Sequence, residues 1–305
     1  MASGLLHRSR GKNVQELICE VLKRRAEIVR GIRGFFDERG FVEVETAVRI
    51  PAPAPEEHID CPPVVGGGYL RASPELQMKK LLAEGMDRIY QIGPCFREGE
   101  RGSRHNPEFT MLEWYRRGAD YLDIMEDLKD LFIGLVRFQS SNFKVQSAGD
   151  DGFRLLRVRD AYREHAGWDP WISWNQDRFD FDMATKVEPA IKAMGGGVFL
   201  MDYPPQAASL SKLRGDVAER WEFYFGGMEL ANCFTELCDR DEQARRFAAA
   251  KANRKLLEES DYPIDCEFIE SLPRIKSASG VALGVDRLVM VLTGMKEISA
   301  VRAKI

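Results

Sequence analysis

Between residues 13 and 38, apolar side chains recur at helical spacing: Val14, Leu17, Ile18, Val21 and Leu22, then Ile28, Ile32, Phe35 and Phe36. Residues three and four apart share one face of a helix, so this run predicts an amphipathic helix closed by Gly40. Phe41-Val-Glu-Val-Glu-Thr then alternates apolar and polar positions, as a half-buried strand does. Five prolines between Pro51 and Pro63 predict an irregular loop. Tyr69–Ala72 reads as a short strand. Ser73-Pro74-Glu75 has the form of a helix start, with Ser73 as N-cap and Pro74 as first helical residue, and the helix runs on to Glu84. A longer helix, Tyr121–Phe138, carries Leu122, Met125, Leu128, Leu131, Phe132, Leu135 and Val136 on one face. Arg157–Ala166, Phe181–Met194 and Arg240–Ser260 read as further helices, and Val198–Tyr203 as a strand. Strands and helices do not alternate strictly, which favours an α+β fold: an antiparallel sheet flanked by helices. Residues 1–12 read as a disordered lead, and Ser140–Gly152 as a polar linker or hairpin.

Two stretches carry most of the candidate chemistry. Tyr90–Tyr115 reads as a strand, a glycine-broken polar loop and a returning strand. The loop holds Arg97, Arg101, Arg104 and His105 within nine positions, a concentration of donors suited to a polyphosphate. On the returning strand Phe109, Glu113 and Tyr115 fall at even spacing and so face one side. The second stretch, Trp221–Glu236, reads as two strands around Gly226-Gly227, with Glu222, Glu229 and Glu236 among aromatic and apolar neighbours. A carboxylate in such surroundings is costly to bury unless it meets a cation. A few carboxylates with bridging phosphates suit Mg²⁺. The same period of seven also fits a solvated helix face, but the glycine pair and the aromatics favour strands. Further on, Gly280 and Gly284 would let backbone approach a ligand, with Arg287 in the first turn of the helix that follows.

Composition narrows the class. The 305 residues are 44% hydrophobic and 30% charged, with a net charge of −4, as in an ordinary globular domain without the basic surplus of a dedicated nucleic-acid binder. No apolar run reaches the roughly 20 residues needed to span a bilayer, and no secretory signal opens the chain, so a cytoplasmic protein without membrane contact is expected. The six cysteines form no Cys-x-x-Cys pair and are expected to be reduced, mostly buried thiols. There is no Gly-x-x-x-x-Gly-Lys phosphate loop.

Taken in order, these stretches resemble the three motifs of the class II aminoacyl-tRNA synthetases: Phe35–Thr46 motif 1, Phe96-Arg97 to Phe109 motif 2, and Gly280–Arg287 motif 3. Ser73-Pro-Glu, His105-Asn-Pro-Glu-Phe-Thr-Met-Leu-Glu-Trp-Tyr and Glu229-Leu-Ala-Asn-Cys-Phe-Thr-Glu-Leu look like the lysyl branch. Lysyl-tRNA synthetases carry an N-terminal anticodon-reading OB domain, for which a catalytic helix starting near residue 13 leaves no room. Residues 13–305 therefore resemble the truncated paralogues, the elongation factor P lysyltransferases, which typically have alanine, as at Ala282, where the synthetases have glycine. The resemblance implies ATP-dependent activation of lysine, preferably the β-isomer, as an adenylate. It implies transfer to a lysine of elongation factor P, with tRNA not the main acceptor.

The implied roles attach to particular residues. Arg97 and Arg287 are the catalytic arginines, and Arg287 with Phe109 sandwiches adenine. Glu98, Gly99, Glu100, His105, Asn106, Glu229, Leu230 and Gly284 complete the ATP site. Glu222 and Glu229 hold Mg²⁺. Glu75 takes the α- or β-ammonium end of the amino acid, and Ser73 and Pro74 beside it belong to the substrate site. Glu113, Tyr115 and Glu236 take the ε-ammonium, with Asn232, Phe234 and Ala282 shaping the pocket. A homodimer through motif 1 is implied, although Ala47 stands where that motif has proline. Two other readings stay open: a minimal lysyl-tRNA synthetase, and a catalytically silent synthetase-like regulatory module.

Overall fold

The computed structural model describes residues 14–57, 59–140 and 152–303. The expected lead at 1–12 and nearly all of the 140–152 linker lie outside them. Helix α1 (Val14–Glu38) is followed by the short strands β1 (Val42–Glu43), β2 (Arg49–Ile50) and β3 (Tyr69–Leu70). Helix α2 (Glu75–Ala83), strands β4 (Arg88–Phe96) and β5 (Glu108–Arg117), and helix α3 (Tyr121–Ser140) come next. Strand β6 (Phe153–Arg157) leads into helices α4 (Val158–Ala161), α5 (Gln176–Asp182) and α6 (Glu188–Met194). Strands β7 (Gly197–Tyr203), β8 (Leu213–Arg214), β9 (Val217–Phe225) and β10 (Met228–Thr235) precede helices α7 (Arg240–Leu256) and α8 (Cys266–Ile275). Strand β11 (Ala278–Gly284) and helix α9 (Val285–Thr293) close the series.

Nine strands form one sheet in the order β1-β4-β5-β11-β10-β9-β7-β6, with β8 beside β9, and β2 and β3 pair separately. The expected antiparallel sheet holds through its centre. Only the outermost pairings, β1 with β4 and β6 with β7, are parallel. β1 is shorter than the alternation of residues 41–46 predicts. Beyond Val44 the ladder gives way to a side chain, as the Thr46 backbone N–H donates to Gln91 Oε1 at 2.8 Å. Gly226 and Gly227 both have positive φ, 59° and 75°, which a two-residue hairpin of matched twist requires. Helix α2 starts one residue later than expected: Pro74 stands at N-cap and makes no side-chain cap. The two helices expected in 157–194 are interrupted by π-helical turns at Tyr162–Ala166 and Met183–Val187. Gly280 lies within β11 rather than at a helix entry.

Strand periodicity splits the sheet into two faces. Leu112, Trp114, Val281, Leu283, Ala231, Cys233, Trp221 and Phe223 point to one side. There they pack with Phe36 of α1, Leu128 and Phe132 of α3, and Leu288 of α9 in the largest apolar cluster. Trp114 and Trp221 are wholly buried, and Trp221 Nε1 donates to the Tyr121 carbonyl at 2.6 Å. The residues between them point the other way. On that side one apolar cluster joins Tyr115 to α2, α7 and α8. A second joins Leu200 and Tyr224 to α4, α5 and α6. The loop expected at 51–63 is irregular and is held by buried Arg254, which donates to the carbonyls of Glu56 (2.5 Å) and Ile59 (3.2 Å) and to Asp60 (2.5 Å). All six cysteines are free, and three of them are buried. No helix among the described residues is long and apolar enough to cross a membrane.

Candidate active site

The second face of the sheet floors a cavity of about 380 Å³. Register across the central strands places Glu113, Ala282, Asn232 and Glu222 side by side in one row. At about 4.8 Å between strands, that row spans about 14 Å. The next row runs Tyr115, Gly280, Phe234 and Arg220. A Cβ on Gly280 would lie 2.1 Å from the Tyr115 ring. The glycine expected to admit a ligand therefore admits Tyr115. Gly284, by contrast, lines the cavity, and its nearest contact for an added Cβ is 3.8 Å, so it leaves room.

At one end of the cavity three carboxylates converge with few cations. Glu113 is fully buried, accepts from the Tyr115 hydroxyl at 2.9 Å, and leaves Oε1 without a hydrogen-bond partner. Burial, followed by the charge of Glu75, pushes its carboxyl up to about 8. Glu236 and Glu75 both pair with Lys79, whose side chain is 2% exposed. Burial alone would lower the Lys79 ammonium, but the two carboxylates outweigh it and raise it. Glu236 is raised by burial, against the opposing pull of Lys79. The sequence pattern points to the carboxylates and not to Lys79. It sits four residues after Glu75 on α2, the spacing at which helical charges pair.

The other end is cationic. The Arg97 guanidinium lies 5.1 Å from the Phe109 ring centre, 3.6 Å from Glu100, and has a buried Nε without a partner. Arg287 donates to the Glu229 carbonyl at 3.1 Å and to its carboxylate at 3.4 Å. It also donates to His105 Nε2, since a guanidinium can only donate. Burial and the Arg287 charge lower His105, so its ring is neutral near pH 7. Burial and the charge of Glu222 raise Glu229, with Arg287 opposing. Glu222 is pinned by Arg220 at 2.5 Å and the Tyr224 hydroxyl at 2.7 Å.

Most predicted residues reach this wall: Ser73, Glu75, Arg97, Glu100, His105, Asn106, Phe109, Glu113, Tyr115, Glu222, Glu229, Leu230, Asn232, Phe234, Glu236, Ala282, Gly284 and Arg287. Pro74, Glu98 and Gly99 do not. Pro74 is buried, while Glu98 and Gly99 are exposed near the start of the β4–β5 loop. Of the two glutamates flanking Gly99, Glu100 is thus the one that faces the cavity. Arg101 is also off the wall. In this arrangement Arg97, rather than Arg287, lies over Phe109. Glu56 and Arg220 line the cavity without having stood out in the sequence.

Residues 7–303 match the tRNA synthetases class II (D, K and N). The chain belongs to that family. Curated relatives within reach of it include three proteins named elongation factor P–(R)-β-lysine ligase. That of Proteus mirabilis is 36% identical over 324 residues, covering 94% of each chain. That of Vibrio cholerae is 37% identical over 305 residues, covering 92% of this chain and 94% of its own. That of Yersinia enterocolitica is 36% identical over 322 residues, covering 94% of each. On this class II core, motif 1 falls on α1 and β1, motif 2 on β4, β5 and their loop, and motif 3 on β11 and α9. Among the described residues no group of three or more His, Cys, Asp or Glu side chains could hold a metal.

Proposed function

We propose that this chain activates (R)-β-lysine with ATP and transfers it to a lysine side chain of translation elongation factor P. The observation that carries this reading is the pocket of Glu75, Glu113 and Glu236, where three buried carboxylates outnumber the cations near them, Lys79 and Arg71, and an oxygen of Glu113 lacks a partner. Buried carboxylates in excess of cations call for an ammonium from outside, and lysine isomers bring two. The names of the relatives support the acceptor and the β-isomer.

Each end of the cavity has a part in this scheme. Arg97, Glu100, His105, Asn106, Phe109, Leu230, Gly284 and Arg287 would hold ATP, and the free Nε of Arg97 suits an anionic oxygen. The pair Glu222 and Glu229 fits Mg²⁺: the first charge raises the proton affinity of the second, a conflict a shared cation relieves. Bound there with the triphosphate, Mg²⁺ would neutralise phosphate charge. The substrate carboxylate attacks the α-phosphorus, and the bond to pyrophosphate breaks. Arg97 would stabilise the charge that builds on the α-phosphate. The acceptor amine, having lost its ammonium proton, then attacks the acyl carbon. The amide bond forms, AMP leaves with the electron pair of the acyl–oxygen bond, and nitrogen sheds a second proton. Positioning and charge, rather than a covalent enzyme intermediate, would supply the rate.

A homodimer in the cytoplasm belongs to the same proposal. β1 sits at the open edge of the sheet, with Val42 exposed beside α1.

The test has two parts. ATP–pyrophosphate exchange should depend on a lysine isomer and favour (R)-β-lysine. Elongation factor P should gain the mass of one lysyl group in intact-mass analysis. Exchange with neither isomer would sink the reading, and preferential charging of tRNA would replace it with that of a minimal lysyl-tRNA synthetase.

A further inference from the structure

A second cavity, of about 750 Å³, opens beside the first. The two share Glu56, Ile59, Arg220, Glu222 and Glu229 as common wall. This larger groove runs between α5, which contributes Phe179 and Asp180, and α7, which contributes Gln243 and Asn253. Its meeting point with the cleft is well defined. Arg220 Nε donates to Asn232 at 3.2 Å, and its guanidinium lies 5.7 Å from the Phe234 ring centre. The groove thus reaches the cleft between the carboxylate end and the arginine end.

Its chemistry is one-sided. Among the described residues, seven carboxylates and two arginines line it, with no lysine or histidine. Both arginines are already engaged. Arg220 pairs with Glu222 at 2.5 Å. Arg246 pairs with Glu242 at 2.9 Å and donates to the Ser209 and Ser211 carbonyls at 2.8 Å. Toward the rim, among the described residues, Glu57 and Asp180 accept from neutral amides, Asn253 at 2.6 Å and Gln176 at 2.9 Å. One buried donor also points to an absent partner. Gln243 is 1% exposed, lines the groove, and its amide nitrogen has no hydrogen-bond partner. An unpaired buried amide is costly, and a carbonyl from a docked backbone would satisfy it.

We propose that this groove docks the acceptor lysine side chain and the backbone that carries it, steering its ammonium along Glu57 and Asp180 toward the junction at Arg220 and Glu222. The inference rests on the function proposed above. An acidic groove draws in a lysine ammonium and repels the phosphates of a nucleic acid. Glu57 and Asp180 lie outside the cleft that would hold ATP and the amino acid, so the two half-reactions become separable.

The experiment compares wild type with a Glu57→Lys/Asp180→Lys variant in three assays. ATP–pyrophosphate exchange reads activation. Hydroxamate formation with hydroxylamine reads an adenylate that needs no docking. Lysylation of elongation factor P reads transfer. The expected result is unchanged exchange and hydroxamate, with a KM for elongation factor P raised roughly tenfold and a flatter dependence on salt. The milder Glu57→Gln/Asp180→Asn pair should move KM the same way by less, which keeps the proposal open to refutation if the lysine pair does not fold. Unchanged or improved lysylation in the folded variants would overturn the groove. A wild-type enzyme that activates β-lysine yet leaves elongation factor P unmodified would instead refute the acceptor itself, and the groove with it.

Discussion

On β5, Leu112 and Trp114 enter the apolar layer against α1, α3 and α9, whereas Glu113 and Tyr115 enter the cleft. The same split repeats on β11, β10 and β9. Val281, Cys233 and Trp221 lie on one face, and Ala282, Asn232 and Glu222 on the other. On the dry face each side chain gains by being removed from water, and large aromatic rings fill the space. On the other face burial works against the side chains, and it raises Glu113, Glu229 and Glu236. The comparison teaches that adjacent residues on one strand are under opposite demands. The first face holds the sheet rigid, and that rigidity lets the second keep its charges close together.

The largest effect that would break this division is expected from Trp221→Ala. It removes a wholly buried ring and the hydrogen bond to Tyr121, and should cost about 3–5 kcal/mol in urea unfolding. If activity were lost with stability intact, the dry face would not be the structural one. Arg97→Ala should do the reverse, lowering exchange by about 10²–10³-fold while the unfolding midpoint stays within error. Gly280→Ala tests the coupling between rows. Its methyl group would strike the Tyr115 ring and displace the hydroxyl from Glu113, so the KM for the lysine isomer should rise more than the KM for ATP.

A smaller effect sharpens the electrical side of the comparison. Glu113 in the free protein is raised to about 8, so it is mostly neutral at pH 6 and charged above pH 8. Binding an ammonium needs the charged form, while the substrate's ε-ammonium stays protonated throughout this range. The KM for (R)-β-lysine should therefore fall between pH 6 and pH 8, and in Glu113→Gln that fall should shrink to the part carried by Glu236, which burial also raises. The same shift has a sign for folding. A carboxyl raised above its unfolded value stabilises less as pH climbs from about 4.5 to about 8, so this one group favours the fold in mild acid. The smallest effect is expected from Ala282→Gly, a single methyl in the middle of the row. It should shift the preference between lysine isomers by about tenfold, measured as a ratio of kcat/KM values.

The sheet face of Phe109, Glu113 and Tyr115 was legible because strand geometry has a period of two, and the Glu222–Glu236 hairpin because two glycines mark its turn. Arg97 and Arg287 stood out by their place in family motifs. Lys79 was not legible. On paper it is one of many surface-type residues, and only the fold brings Glu236 onto it from 157 positions away. Gly280 was read with the wrong partner for the same reason, since Tyr115 meets it across a strand pairing that no local pattern announces. The π turns at 162–166 and 183–187 escaped because one extra residue in a turn leaves no mark on composition. Helix α8 carries Phe268, Ile269, Leu272 and Ile275 at helical spacing, yet Pro273 sits inside it and obscures the pattern.

Lys79 has one more consequence. It presents to Glu75 and Glu236 the same chemical group that the pocket is proposed to select. The chain therefore supplies its own tethered competitor, fixed at high local concentration and unable to diffuse away. Such a competitor limits how firmly any arriving ammonium is gripped, and a site that must surrender its cargo to a second molecule turns over faster for holding it less tightly.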